Sequence, residues 1–338
     1  MLRLLPSAAS DNSAPNSEVV QCNEGQAGGM TQGAASAGAI DAVIVNWNSG
    51  GDLARCVATL AASDRSGLLA RIIVVDNGSQ DGSADEVAAV RPLTIDRAGR
   101  NLGFGAACNR GAAQGQAPYI LFLNPDTAVQ DGALEAALDA FRPGIGLVGL
   151  RQLDGTGQVR RSCSRFPTPL AFWMRALGLD RLARFAAYGS FMADWAHDES
   201  RAVDQVMGCF LLMPRELFEA LSGFDERFFL YYEDVDLALR ACRQGRASWF
   251  ETKGTISHRG GGASSQVPAR RLCLSLWSRL HFAKKHFSTA GFLSVALCTL
   301  LVEPWTRLAF AALSHGPAAM RDVLAGYALL LHPGSARP

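Results

Sequence analysis

The stretch Tyr119-Ile120-Leu121-Phe122-Leu123-Asn124-Pro125-Asp126-Thr127 decides how the rest of the chain is read. Five apolar residues run straight into turn chemistry, the pattern of a strand buried on both faces of a sheet. Pro125 has no N–H to give to a ladder, so the strand ends there. Asp126 is thereby presented on a turn at the carboxyl end of a central strand, the edge where open α/β sheets bind ligands. Asn, Pro and Asp are also the commonest turn residues, and taken alone the stretch is better read as an ordinary strand-ending turn.

The neighbouring sequence changes that balance. Upstream, residues 40–45 and 72–75 read as two further strands, the first closed by Asn46-Trp47-Asn48 and the second by Asp76-Asn77-Gly78-Ser79. Between them a helix starts near Asp52, an N-cap candidate, with Leu53, Val57 and Leu60 on one face. A helix near 84–90, a short strand near 93–95 and a helix over 106–113, introduced by Arg100-Asn101-Leu102-Gly103-Phe104-Gly105, complete the unit. Strands alternating with helices predict an α/β fold, a doubly wound, mainly parallel sheet with helices on both faces. Downstream, helices are expected over 133–141, 215–221 and 235–242, and strands over 146–150 and 206–214. Residues 165–197 break the rhythm. Seven aromatics between 165 and 195, with Arg165, Arg175, Arg181 and Arg184, predict an amphipathic insertion.

Bulk properties exclude several classes. A net charge of +1 over 338 residues gives no field that would recruit nucleic acid. The eight cysteines are scattered with no C-x-x-C spacing, which argues against a zinc site or a disulfide framework and for a reducing cytoplasm. Residues 1–39 are rich in small and polar residues without periodicity and read as a disordered tail.

Three stretches carry chemistry. Asp76 ends a buried run in D-N-G-S-x-D-G-S, where a carboxylate can accept the imide N–H of a pyrimidine, although a cap-rich loop fits equally well. Gly223-Phe224-Asp225-Glu226-Arg227-Phe228-Phe229-Leu230-Tyr231-Tyr232-Glu233-Asp234-Val235-Asp236 interleaves acids with aromatics directly before a helix. A cap explains one acid; an acid beside an aromatic wall has raised proton affinity and suits a general base. His258 precedes Arg259 and a glycine run that lets backbone approach a phosphate. Gly103-x-Gly105 is a near-miss of the dinucleotide fingerprint, with Cys108 at the third glycine position, and a nicotinamide enzyme is rejected.

Together, V-I-V-N-W-N, V-V-D-N-G-S-x-D-G-S, N-x-G-F-G, L-N-P-D, G-F-D-E-x-F-F-L-Y-Y-E-D-V-D-L and H-x-G-G-G resemble the family-2 nucleotide-sugar glycosyltransferases of GT-A fold. The bacterial rhamnosyltransferase branch is the most similar, on Trp195-Ala196-His197-Asp198 as well, and the resemblance spans about 40–287. It implies a catalytic domain over 40–286 and an inverting transfer, with dTDP-rhamnose as donor and a glycan or polyprenyl-linked acceptor. It implies that Asp76, with Asn46, Asn48, Asn77, Asn101, Gly103, Asn109 and Asn124, binds the nucleotide. Asp126 and His258 would hold Mg²⁺ or Mn²⁺, and Asp234, with Glu233 as its rival, would be the base. Trp195, Phe229, Tyr231 and Tyr232 would meet the acceptor. Asn124 stands where many relatives carry an acid, so one anionic ligand fewer faces the cation. A UDP-sugar transferase and an inactive nucleotide-sugar scaffold remain the alternatives.

The last stretch, 287–338, is apolar and is introduced by Arg270, Arg271, Arg279, Lys284 and Lys285. Its first run is short of the roughly 20 residues that cross a bilayer, and Pro304 is expected to break the helix. A basic cluster followed by apolar helices predicts a C-terminal membrane-associating segment. The protein would then sit peripherally on the anionic cytoplasmic face of the cell membrane. The competing expectation is that these helices pack as core on the catalytic domain.

Overall fold

The computed structural model describes residues 37–87, 93–182, 189–190, 192, 194–260, 267–314 and 316–332. The expected tail therefore lies almost wholly outside the described residues, as do the glycine run after Gly260 and part of the 165–197 insertion. The first half is built as the sequence predicts. It runs β1 Ile40–Asn46, α1 Gly51–Ser63, β2 Leu69–Asp76, α2 Ser83–Glu86, β3 Leu93–Arg97, α3 Phe104–Ala112 and β4 Tyr119–Leu123. Next come β5 Thr127–Val129, α4 Ala133–Asp139, β6 Ile145–Leu153, β7 Val159–Arg160, β8 Cys163–Ser164 and α5 Pro169–Ala176. The α/β part closes with β9 Arg201–Val203, β10 Gln205–Val206, β11 Phe210–Pro214, α6 Arg215–Ala220, α7 Glu233–Arg243 and β12 Ala247–His258.

The main sheet has the order β3-β2-β1-β4-β11-β6-β12-β5. Strands β3, β2, β1 and β4 are parallel, as is β6 with β12, while β11 runs antiparallel between β4 and β6. Strands β1 and β4 are apolar on both faces because helices cover both sides, giving two large apolar clusters. Six cysteines, Cys56, Cys108, Cys163, Cys209, Cys273 and Cys298, are buried and free, as small core residues.

Four expectations need correcting. The strand expected over 206–214 is two: Gln205–Val206 pairs with β8 in a separate ribbon, and only Phe210–Pro214 enters the main sheet. Asp52 does not cap α1. Gly50 takes that place with φ +53°, and the Asp52 carboxylate accepts from Arg259 Nη1 at 3.0 Å. Arg259, which precedes the glycine run, is thereby engaged with Asp52. Most consequentially, Pro304 does not end its helix. After α8 Pro268–His286, α9 Thr289–Leu297 passes through a π-helical turn, Cys298–Val302, into α10 Glu303–Ser314, and α11 Gly316–Leu331 follows. A proline clashes with the carbonyl four residues earlier and has no N–H to bond it; widening the preceding turn relieves both faults. The product is one 26-residue helix, Thr289–Ser314, of mean hydropathy 1.3, long and apolar enough to cross a membrane.

The fourth correction concerns the basic cluster. Arg279 is 3 % exposed and paired with Glu303 of α10, and Lys285 donates to Asp225 at 2.7 Å and to Asp236 at 2.5 Å. Only Arg270, Arg271 and Lys284 of the five remain exposed.

Candidate active site

The parallel register aligns the carboxyl ends of β1 and β2, pairing Asn46 with Asp76, next to the end of β4. Asn46, fully buried, donates through Nδ2 to Asp76 Oδ1 at 3.1 Å, Ser79 Oγ at 3.1 Å and Ser83 Oγ at 2.9 Å. It thus brackets the two loops from within. Asn48, at φ +48°, takes Gln80 N on its Oδ1 at 2.8 Å, and Asn48, Ser49, Gly50, Gln80 and Asp81 line an open polar cleft. Arg97 Nη1 stands 3.7 Å from Asp76 Oδ2 on the rim.

The remaining asparagines shape backbone. Asn77 accepts from Leu102 N at 2.8 Å and donates to Asn101 Oδ1 at 3.0 Å and Gly103 O at 3.2 Å. Gly103, at φ +90°, lies so close to the next loop that a Cβ would sit 2.7 Å from Phe229 Cδ2 and from its carbonyl. Asn109 accepts from Phe224 N at 2.8 Å and donates to Phe224 O at 2.9 Å, stapling α3 to the loop that carries the acids. Asn124 holds the β4 turn through backbone, donating to Cys209 O at 3.0 Å.

Asp126 and His258 meet because β5 and β12 pair antiparallel with Thr127 opposite His258. His258 Nε2 is 3.2 Å from Asp126 Oδ1, and Gly260 N donates to Asp126 Oδ2 at 3.2 Å. Burial opposes ionisation of Asp126, but the bonds from His258 and Gly260 outweigh it and hold the carboxyl below its ordinary value. Burial likewise works against charge on His258, while Cys209 and Asp126 push the imidazole up to about 10. His258 Nδ1 is buried without a hydrogen-bond partner.

The acids of the 223–236 segment separate into two kinds. Asp225 is paired to Arg227 and Lys285, and Asp236 to Arg240, Lys285 and His286. Glu233 and Asp234 have no ion-pair partner among the described residues. Glu233 is 6 % exposed; burial and then the Asp234 charge raise it well above its ordinary value, and its Oε2 is buried without a partner. Half-buried Asp234 accepts at Oδ2 from Gln205 Nε2 at 2.9 Å and Gly208 N at 3.1 Å, and at Oδ1 from Val235 N at 2.8 Å. Burial raises it too, less completely, because those neutral donors favour the anion.

A family profile for "Glycosyl transferase family 2" matches residues 41–166. The N-acetylglucosaminyl-diphospho-decaprenol L-rhamnosyltransferase of Mycobacterium tuberculosis is 30% identical over 267 residues, 75% of this chain and 83% of that protein. The chain belongs to glycosyl transferase family 2. It is an enzyme, and its fold is GT-A. The mannosyltransferase PcManGT from Pyrobaculum calidifontis, solved with GDP-Man and Mn²⁺, superposes with TM-score 0.51 at 18% identity, over 89% of this chain and 82% of that one. Rhamnosyltransferase WbbL of Escherichia coli is 26% identical over 133 residues, 38% of this chain and 47% of that protein.

In the transferase the aromatic residues divide as the acids do. Trp195 stacks on His197 at 4.1 Å beneath the Arg201 guanidinium, and its Nε1 is buried without a partner. His197 accepts from Cys163 N at 3.1 Å and is held neutral by burial. Phe229 packs against Gly103. Tyr232 turns to the C-terminal helices, 5.6 Å from the Phe282 ring and 6.3 Å from Phe172. Sequence reasoning missed Gln205, a buried amide on a two-residue strand, because nothing in its spacing marks it. It missed Arg279 and Glu303 because a base among bases and an acid beside Pro304 both read as solvated charges.

Proposed function

We propose that the transferase moves rhamnose from dTDP-rhamnose, with inversion, to a hydroxyl of an N-acetylglucosaminyl-diphospho-polyprenol. The sugar and the acceptor class follow the mycobacterial relative's name, and the dTDP donor follows the family resemblance. What carries the catalytic assignment is the sorting of acids: Asp225 and Asp236 are paired to cations and exposed Glu226 is held by Asn109, while Glu233 and Asp234 are drawn into the fold with no cation among the described residues. Burial and the neighbouring charge raise Glu233 more strongly than Asp234, so Asp234 is the more readily ionised of the pair and is taken as the base. Asp234 takes the proton of the acceptor hydroxyl as its oxygen bonds the anomeric carbon. The bond from that carbon to the diphosphate breaks on the opposite face, and the nucleoside diphosphate departs. A single displacement inverts the anomer. Gln205 and Gly208 N aim the carboxylate without bringing a charge that would quench its basicity. Asp76, beside Asn46 and the Asn48 cleft, receives the base of the nucleotide.

Asp126 and His258 fit a divalent cation. Their facing atoms are 3.2 Å apart, near enough for one ion to touch both, and a bound ion would replace the shared proton. With no cluster of three His, Cys, Asp or Glu among the described residues, diphosphate oxygens and water would complete the shell, as is usual for Mg²⁺. Mn²⁺ in the PcManGT crystal supports either ion. When bound, the ion supplies neutralisation of the charge that grows on the departing diphosphate.

We also propose peripheral docking on the cytoplasmic leaflet. Leu293, Leu297, Leu301 and Trp305, 58, 50, 61 and 71 % exposed, form the outward face of the long helix. Its inward face is tied to the domain by Arg279–Glu303 and by Trp173 Nε1 to Ser294 Oγ at 2.9 Å, which favours lying in the interface over spanning. The test of the whole reading is Asp234→Asn. Nucleoside diphosphate binding persists while turnover falls by about 10²–10⁴. Full turnover in Asp234→Asn with a dead Glu233→Gln reverses the pair.

A further inference from the structure

Two consecutive non-glycine residues, Tyr231 and Tyr232, hold φ of +70° and +67° immediately before the acid pair. Left-handed backbone is unfavourable for residues with a Cβ, and it persists only where surroundings enforce it. Tyr232 is the N-cap of α7, yet no side chain caps that helix end, so the turn does not stabilise itself locally. The enforcing contacts come from the C-terminal helices. Ser278 Oγ donates to Leu230 O at 2.8 Å, and the Tyr232 ring packs on Phe282 of α8 and Phe172 of α5. The Arg279 guanidinium lies 5.2 Å from the Phe172 ring centroid, with the Tyr232 hydroxyl beside it. Arg279 in turn is fixed by Glu303, 2 % exposed, and by Thr299 Oγ1 at 3.4 Å. Arg307 completes the acid's shell through Nε at 2.8 Å.

We propose that Arg279 is a positioning residue for the transfer reaction: paired to Glu303, it struts the Tyr231–Tyr232 turn that presents Glu233 and Asp234. The inference rests on the reading of Asp234 as the base. An ion pair used only for stability needs no strained turn at its end. A buried pair is also a poor stabiliser, since apolar residues of similar size commonly replace one without loss. Its geometry explains it better: a planar, forked guanidinium fixes direction, joining an aromatic ring, a hydroxyl and a carboxylate in one arrangement.

The discriminating variant is the double substitution Arg279→Met/Glu303→Leu, which removes both charges and keeps the volume. Turnover of dTDP-rhamnose onto the lipid acceptor, donor KM, dTDP affinity by calorimetry and Tm are measured together. The strut predicts kcat lower by about tenfold or more, with donor KM, dTDP affinity and Tm near those of the native protein. Arg279→Lys, which restores charge but not the fork, recovers only part of the loss. A folded double variant with native kcat overturns the proposal. Should the double variant not fold, Tyr232→Phe decides. It keeps both ring contacts and loses only the hydroxyl, so a native kcat overturns the strut and a lowered kcat at unchanged KM supports it. Asp234→Asn is run beside them. An active Asp234→Asn overturns the base assignment alone, whereas a dead one beside a fully active double variant overturns the strut alone.

Discussion

Gln205→Met is the sharpest probe of how the base is tuned. The substitution removes one of two hydrogen bonds to Asp234 Oδ2, leaving Gly208 N there and Val235 N on Oδ1. Methionine matches glutamine closely in length, so the buried site stays filled. A hydrogen bond to a charged acceptor contributes about 1.5–3 kcal/mol, and one pKa step corresponds to about 1.4 kcal/mol. Asp234 is half-buried and keeps two donors, so the lower end applies, a rise of about one pH step. The sign follows from the role. A general base works ionised, so turnover is lost as pH falls through its pKa. Gln205 favours the ionised form, so its removal carries that acid limb to higher pH. The assay is kcat against pH by nucleoside diphosphate release, at saturating donor and acceptor. One pH step below the native midpoint the variant runs several-fold slower than the native enzyme, while the two converge on the alkaline plateau. A limb that stays put, or moves to lower pH, refutes the assignment of Asp234 as base held by Gln205.

Two further outcomes are expected. Asp126→Ala removes the carboxylate that faces His258 and abolishes transfer, and excess chelator mimics it, with turnover in EDTA as the check; full activity there removes the cation from the reaction. Leu301→Glu/Trp305→Glu places two charges on the outward face of the long helix without touching Glu303. Sedimentation with anionic vesicles then drops while Tm stays within about 2 °C, because surface substitutions change stability little. Native vesicle binding by that variant puts the docking face elsewhere. Each exposed cation near lipid contributes about 1 kcal/mol, and with only Arg270, Arg271 and Lys284 of that cluster exposed, the apolar face must carry much of the affinity.

How far the sequence was legible depended on whether an element's partners were local. Strands β1, β2 and β4 are short apolar runs stopped by turn residues, and such a run has few alternatives once helices alternate with it. The site at their carboxyl ends was therefore readable, Asp76 and Asp126 included. Strand β12 was not. Its middle carries Glu251, Thr252 and Lys253, which hide the strand pattern, and its pairing with β6 shifts register between Glu251 and Thr255. The contact of His258 with Asp126 follows only from that strand's pairing with β5, 127 residues away at the nearest pair, Ile256 and Val129. Asp52 misled because cap preference is a local rule, and Arg259 offered it a distant charge. Pro304 misled because the rule against proline applies to an α-turn, and a π-turn lies outside it.

The same logic explains why the acidic loop could not be resolved residue by residue from its sequence. Glu226, Asp225 and Asp236 look as catalytic as Glu233 and Asp234 until the opposite walls are known. Asn109 of α3 takes Glu226, and Lys285 and His286 at the end of α8 take Asp225 and Asp236. Helix α8 therefore does two things to the site. Its last turn neutralises the acids that hold the loop in place, and its middle turn, through Ser278 and Arg279, fixes the left-handed bend that lies between them. The two acids left with neither a cation nor an exposed position are the ones that bend presents. On the proposed mechanism, catalytic selection in this loop is made by subtraction: the scaffold engages the other carboxylates in structure and leaves uncompensated the pair whose proton affinity is raised.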